Sequence, residues 1–251
     1  VALYAKEAKY EILKSLRLPM YSVSTILFPV MFYVLFGLIL NRNVQADAIP
    51  FSAYLIATYG TFGVIGASLY GNGAGIAVER GQGWMLVKRA SPMPPAAYFL
   101  AKMIMSMVFG MFTVTLLLIL GVTLGGVHIT ALQTARLLGT LLLGTIPFCS
   151  LGIAIGYFAG PNSAAAAVNM IYLPLSFASG LWFPIEILPR IMQKSAHLLP
   201  PYHLAQLALG VFGADTGESA WTHWSVLIGF TFICLGLARI GFQRDEGKMY
   251  G

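Results

Sequence analysis

From Leu137 to Ile185 the chain carries no Asp, Glu, Lys or Arg. One bilayer crossing takes about 20 predominantly apolar residues, so a run this long holds more than one. The AGPNSA stretch at 159–164 interrupts it, and Pro and Asn favour a turn there. The run therefore predicts two spans, 136–159 and 163–183. Other apolar stretches predict spans at 19–40, 52–76, 100–126 and 220–241. Composition agrees: 10% of residues are charged and mean hydropathy is +0.78, whereas a soluble domain carries about 25% charge. The expected class is an all-α integral membrane protein with six transmembrane helices, forming one domain over 1–251.

Six spans place both termini on one side, and Lys/Arg bias chooses the side. Lys6, Lys9, Lys14, Arg17, Arg80, Lys88, Arg89, Lys102, Arg239, Arg244 and Lys248 fall on one side. Only Arg42, Arg136, Arg190 and Lys194 fall on the other. Both termini are expected inside, and the net charge of +6 reflects cytoplasmic basic residues, not a nucleic-acid partner. The first residues alternate charge and lack the apolar core of a secretory leader. Residues 1–18 read as an amphipathic interfacial helix lying on membrane lipid. Ala5, Ala8, Ile12 and Leu16 mark its apolar arc, and Lys6, Glu7, Glu11, Lys14 and Arg17 the opposite one. Residues 184–219, with HLLPPYHLAQLALGVFG, are too short and too broken by Pro to cross twice. They predict an outer re-entrant helical hairpin.

Several chemistries have no carrier. The only Gly-Lys pair, Gly247–Lys248, is followed by Met249, so no phosphate-binding loop is encoded. GNGAG at 71–75 lacks a strand–turn–helix context. The acids Asp47, Glu79, Glu186 and Glu218 sit at span edges or in loops, where no mid-membrane proton relay forms. His128, His197, His203 and His223 are expected as solvated or capping residues. Cys149 and Cys234 are expected to pack in apolar runs, without zinc-type spacing. No metal, cofactor or catalytic residue is expected on this chain, and it is not read as an enzyme.

Residues 78–95, VERGQGWMLVKRASPMPP, hold a compact set of charges between two apolar runs. Gly81 and Gly83 permit a sharp change of direction. Trp84–Ala90 reads as a short amphipathic helix, ended by Ser91 and Pro92. This stretch resembles the coupling region of ATP-binding cassette (ABC) type-2 export permeases. In that family a glutamate closes span two, then come a Gly-containing turn, a short helix, a small-Pro exit and a Lys opening span three. Glu79, Gly81 and Gly83, Trp84–Ala90, Ser91–Pro92 and Lys102 match in order. A second match is SGLWFPIEILP at 179–189 followed by LLPPYHLAQ at 198–206. The resemblance covers essentially the whole chain. GQGWMLVKR departs from it where many members place another acid and Leu-rich residues, a difference that bears on which ATPase binds.

The resemblance implies that 79–96 is a cytoplasmic coupling helix docking on a separate ATPase, which carries ATP and Mg. Glu79, Arg80, Gly81, Gly83, Trp84, Met85, Leu86, Lys88, Arg89, Ser91 and Pro92 would form that coupling site. It also implies a dimer of permease chains in a bacterial inner (plasma) membrane, with spans two and five along the path. Asn169, Tyr172, Phe177 and Trp182 are candidate path residues. Gly152, Gly156 and Gly160 form a GxxxGxxxG row suited either to packing within the chain or to the dimer. A path with few charges suits an amphiphilic or hydrophobic cargo: a drug, a lipid or a lipid-linked molecule. Polysaccharide export, a membrane-embedded enzyme and a non-transporting sensor subunit stand as alternatives.

Overall fold

The computed structural model describes residues 2–40, 45–46, 49–90 and 94–247. Ser91 and Pro92 lie outside the described residues. The helices in chain order are α1 (Ala2–Leu16), α2 (Pro19–Phe32), α3 (Phe51–Ser68), α4 (Gly75–Gly81), α5 (Trp84–Ala90), α6 (Pro95–Thr123), α7 (Ala131–Phe158), α8 (Ala164–Ala178), α9 (Arg190–Ala196), α10 (Pro200–Gly210) and α11 (Ala220–Gly247). A two-residue antiparallel ladder pairs Gln45–Ala46 with Ile49–Pro50.

Among the described residues, five helices are long and apolar enough to cross a membrane. They are Tyr21–Leu40, Phe51–Gly81, Pro95–Thr123, Ala131–Phe158 and Ala220–Asp245. This is an all-α membrane protein. The fifth span expected from sequence, 163–183, is a shorter helix of 15 residues. At about 1.5 Å per residue it falls short of a bilayer core of about 30 Å. Its end has a local cause. Gly180 takes φ +73°, its N–H bonds to the Phe177 carbonyl at 3.1 Å, and the Leu181 N–H bonds to the Ser176 carbonyl at 3.1 Å. That pair of bonds is the Schellman stop.

Two helices pass through π segments. Pro29 removes a rung inside α2, and the Tyr33–Leu40 segment that continues it is π-helical. In the second long span, Leu69–Ala74 (LYGNGA) is π-helical and joins α3 to α4. Asn72 sits here fully buried. Its Nδ2 donates to the Ser68 carbonyl at 2.9 Å and to Ser106 Oγ at 3.0 Å. Both cysteines are buried and unpaired.

The helix α3 is the hub. Almost every residue on it is buried, by α2, α6, α7 and α10. Its small residues permit this approach: a Cβ at Gly63 would meet Thr113 of α6 at 2.8 Å, and one at Gly60 would meet Leu141 of α7 at 3.2 Å. Thr58, Thr61 and Ser68 donate back to carbonyls of the same helix, Thr61 to Ala57 at 2.8 Å, so these hydroxyls are satisfied without water. Around this hub α6 and α11 expose large apolar side chains such as Phe112, Ile119, Phe232 and Ile233. In water such a surface would be a liability; in a bilayer it is the lipid face.

The face that α1 turns to the protein carries Ala8, Glu11 and Ser15, while Leu3, Leu13 and Leu16 are exposed. Glu11 was expected on the water-facing arc; it is buried because α6 offers it a lysine.

Candidate functional site

Hydropathy alone ends the second span near residue 76, before the charges. The helix instead runs on to Gly81, because Glu79 and Arg80 each find partners on other helices.

Glu79 is buried, 5% exposed. Lys102 of α6 donates to Glu79 Oε1 at 3.0 Å and to Glu11 Oε1 at 2.6 Å. Tyr98 of α6 donates to Glu79 Oε2 at 2.5 Å, and Lys14 of α1 donates to Glu79 as well. Two carboxylates and two ammonium groups thus close a neutral cluster joining α1, α4 and α6. Lys102 is only 1% exposed. Removing one member of a buried ion set leaves its partner uncompensated, at a cost of about 3–5 kcal/mol.

Arg80 points the other way. Its Nη1 donates to the Gly156 and Tyr157 carbonyls at 2.7 and 3.1 Å, near the C-terminal end of α7, where a helix leaves carbonyls free. Its Nη2 donates to Asp245 Oδ1 of α11 at 2.5 Å. The guanidinium also lies 5.1 Å from the Tyr157 ring centroid. Sequence reading assigned Arg80 to docking; the structure turns it inward as a tie to α7 and α11.

Beyond these ties the chain reverses at Gln82–Gly83. Gly83 takes φ +77°, a conformation that costs a residue with a Cβ. A Cβ at Gly81 would meet Pro161 at 2.5 Å, so the α7–α8 turn is pressed against the end of α4. Helix α5 follows. Trp84, Leu86 and Val87 are exposed, Trp84 by 52%, and Met85 packs back against the cluster of Ile76, Tyr98 and Tyr157. Lys88 and Arg89 lie in the last turn of α5.

The expected path residues separate. Asn169 is exposed on α8 and accepts a hydrogen bond from the Tyr70 hydroxyl. Tyr172 does not line an open surface. It is buried, stacks on Phe62 with ring centroids 4.6 Å apart, and donates to the Phe62 carbonyl at 2.8 Å. Trp182 is half-buried between Phe32 and Phe62, at centroid distances of 5.1 and 5.5 Å. Phe177 is exposed beside Phe183. Gly152 and Gly156 pack within the chain: Cβ atoms there would meet Asn72 Cβ at 2.9 Å and Ile76 Cβ at 2.8 Å. That row seats the π segment against α7.

An open cavity of about 540 Å³ lies between α1, α2, the π segment and α8. One end holds Glu11, Lys14, Glu79 and Lys102; Leu18, Tyr21, Val78, Met105 and Ala165 supply apolar walls, and Asn169 is at its rim.

Two residues of the charged site, Tyr98 and Asp245, were not singled out from sequence, and Glu11 and Lys14 were read only as the polar arc of α1. The available signal was the spacing of Tyr98 and Lys102, four apart and so on one face of α6. Nothing local marks Asp245. His203 and His223, expected to be solvated or capping, are both buried at 2% exposure, because α10 folds back against α11. Among the described residues no group of three or more His, Cys, Asp or Glu is arranged to hold a metal ion.

Comparison with known proteins agrees with this architecture. The sequence model of the ABC-2 type transporter family matches residues 7–212. The Bacillus subtilis (strain 168) protein named "Putative transport permease YvfS" is 27% identical over 96% of this chain and 97% of its own length. "Inner membrane transport permease YhhJ" of Escherichia coli (strain K12) is 28% identical over 47% of this chain. That match spans 35% of the YhhJ chain. A long buried hub, a paired charge cluster at its end and a short helix hung beyond it stand inside the matched region, and the chain belongs to the ABC-2 type transporter family, as a multi-pass membrane transport permease.

Proposed function

We propose that this chain is the permease subunit of an exporter, working as a dimer and driven by a separate cytoplasmic ATPase that binds ATP and Mg. The observation that carries the reading is the mounting of α5. This short helix has exposed Trp84, Leu86 and Val87. It hangs from a helix end tied by Glu79 to α1 and α6 and by Arg80 to α7 and α11. A displacement of α5 by a docked partner would therefore reach four helices at once. Such a body has two states that nucleotide on the partner could bias.

The reading includes six crossings, with α8 and the Ser179–Pro184 segment completing the fifth, both termini in the cytoplasm of a bacterial cell and the chain in its inner membrane. Residues 184–219 form an outer re-entrant segment. The cargo is an amphiphile: the cavity beside α8 has charged groups at one end and apolar walls along its length. It would accept a polar head against Lys14 and an apolar body along Tyr21 and Met105.

The test is co-reconstitution with the candidate ATPase and measurement of its hydrolysis rate. A Gly-Ser replacement of residues 84–90 is expected to release the ATPase. Glu79→Ala is expected to leave it bound but lower permease-dependent hydrolysis. An ATPase that neither binds the wild-type chain nor notices the replacement would end the motor-driven reading.

A further inference from the structure

Far from the charged cluster, at the other end of the bundle, α10 packs against the last long helix, and two imidazoles face each other across that contact. His203 of α10 and His223 of α11 face each other with Nδ1 to Nδ1 at 2.8 Å, both buried. His203 Nε2 lies 2.9 Å from the His197 carbonyl. A carbonyl only accepts, so Nε2 of His203 carries the hydrogen. In a neutral pair, Nδ1 of His203 is then the acceptor, and Nδ1 of His223 must donate to it. This assignment leaves Nε2 of His223 as a bare lone pair. That atom is buried and has no hydrogen-bond partner among the described residues.

We propose that the His203–His223 pair is a proton-binding site whose second protonation releases α10 from α11. The first proton goes to His223 Nε2. The resulting imidazolium still donates through Nδ1 to His203, and Glu218 Oε2 stands 4.0 Å from that Nδ1. The second proton has only His203 Nδ1 to occupy. Two N–H groups then meet where one bond was, and two cations are buried together. One acid cannot compensate both, because Glu218 carries a single charge; its Oε1 also lies 3.4 Å from exposed His197.

The other surroundings do not rescue the doubly charged pair. Asp215 and Glu186 are exposed, and Tyr202 on the same helix is neutral. Helix α3 carries no charged residue, and Arg136, the single charge on α7, is exposed. Burial, the largest influence, holds His203 below its ordinary value of 6.5. The sign follows: the contact is fully present above that value and is lost as pH falls through the lowered one.

The local geometry permits release. The loop from α10 to α11 contains Gly213 and Gly217 at φ +72° and +76°, each with open space where a Cβ would stand. Behind α10 lies a cavity of about 230 Å³, walled by Tyr54 and Thr58 of α3 and by Tyr202, Ala205, Gln206 and Leu209 of α10. Release of α10 would open it.

The experiment is hydrogen–deuterium exchange of the full chain in lipid nanodiscs at about pH 7.5 and about pH 5, with exposure times scaled for intrinsic exchange. In the wild type, amides of His203–Gly210 are expected to exchange roughly tenfold faster at the lower pH, the factor that corresponds to about one pH unit of linkage, with α7 unchanged. His223→Gln or His203→Gln should flatten that response, and His197→Gln should leave it intact. Equal protection of α10 at both pH values in the wild type overturns the proposal, even if neither variant assembles. So does a response that survives both substitutions, or one abolished by His197→Gln. The ATPase takes no part in this measurement, so its outcome is independent of the coupling reading.

Discussion

The span Phe51–Gly81 has a charged end and an imidazole end, and the two bury polar groups by different means. At Glu79 the buried groups are carboxylates and ammonium groups matched in number: Lys102 bridges Glu79 and Glu11, while Tyr98 and Lys14 complete the set. At α10, beside the start of α3, the buried groups are two neutral rings sharing one hydrogen bond. The first arrangement can be broken only by mutation or force. The second can be broken by a proton. A matched ion set suits an element that must move as one body with α5, and an uncharged pair suits one that must let go.

The largest expected effect comes from unbalancing the charged end. Lys102→Met leaves Glu11 and Glu79 with Lys14 as their one cation, half-exposed and 3.8 Å from Glu11. A loss of about 3–5 kcal/mol is expected, read as a fall in the thermal unfolding midpoint in micelles followed by tryptophan fluorescence. Adding Glu11→Gln to that variant leaves Glu79 matched by Lys14 and should restore most of the loss; no restoration would mean that packing, not charge balance, holds the cluster.

Gly156→Leu comes next. Its side chain would press on Ile76 and on the Asn72 carbonyl, 3.0 Å from the new Cβ, at a cost of about 1–3 kcal/mol. The same assay should show this loss without a change in oligomeric state. A dimer dispersed by Gly156→Leu with the fold intact would move this glycine to the interface between copies.

Asp245→Asn should cost less, about 1 kcal/mol, because Arg80 keeps both α7 carbonyls and the pair is near the surface. Its expected signature is faster exchange of the last turns of α11, with α1 and α6 unaffected. His223→Gln should cost a similar amount at neutral pH, one hydrogen bond. Below about pH 6 the order should invert, the variant holding α10 better than the wild type; unfolding midpoints across pH would show the crossing. Thr130→Ala, which removes the capping box at the start of α7, sets the lower bound at about 0.5–1 kcal/mol.

The presence of the spans was legible because lipid imposes a length and a polarity that composition reveals directly. Their ends were less so. The rule that a charge stops a span failed at Glu79 and Arg80, since partners 65 and 165 residues away, Lys14 and Asp245, neutralise them. The reverse error occurred at α8, where an uncharged sequence to residue 183 is cut short by the left-handed turn at Gly180. Of the coupling stretch, the turn at Gly83 and the helix from Trp84 were readable from local chemistry; the inward aim of Arg80 was not. The GxxxGxxxG row left two readings open, and only the 2.8 Å approach to Ile76 shows which surface Gly156 meets.

The sequence by itself determined that the chain lives in a bilayer, that its charges gather at the helix ends and that a short element must hang from the second span. Those features follow from transfer free energies and backbone geometry, which act residue by residue. Only the tertiary structure decided which charges become partners, that Tyr172 belongs to the core, and that two histidines share one hydrogen bond. Those facts depend on which helices touch, and in lipid that choice is made by close packing of small residues and by the need to pair every buried polar group.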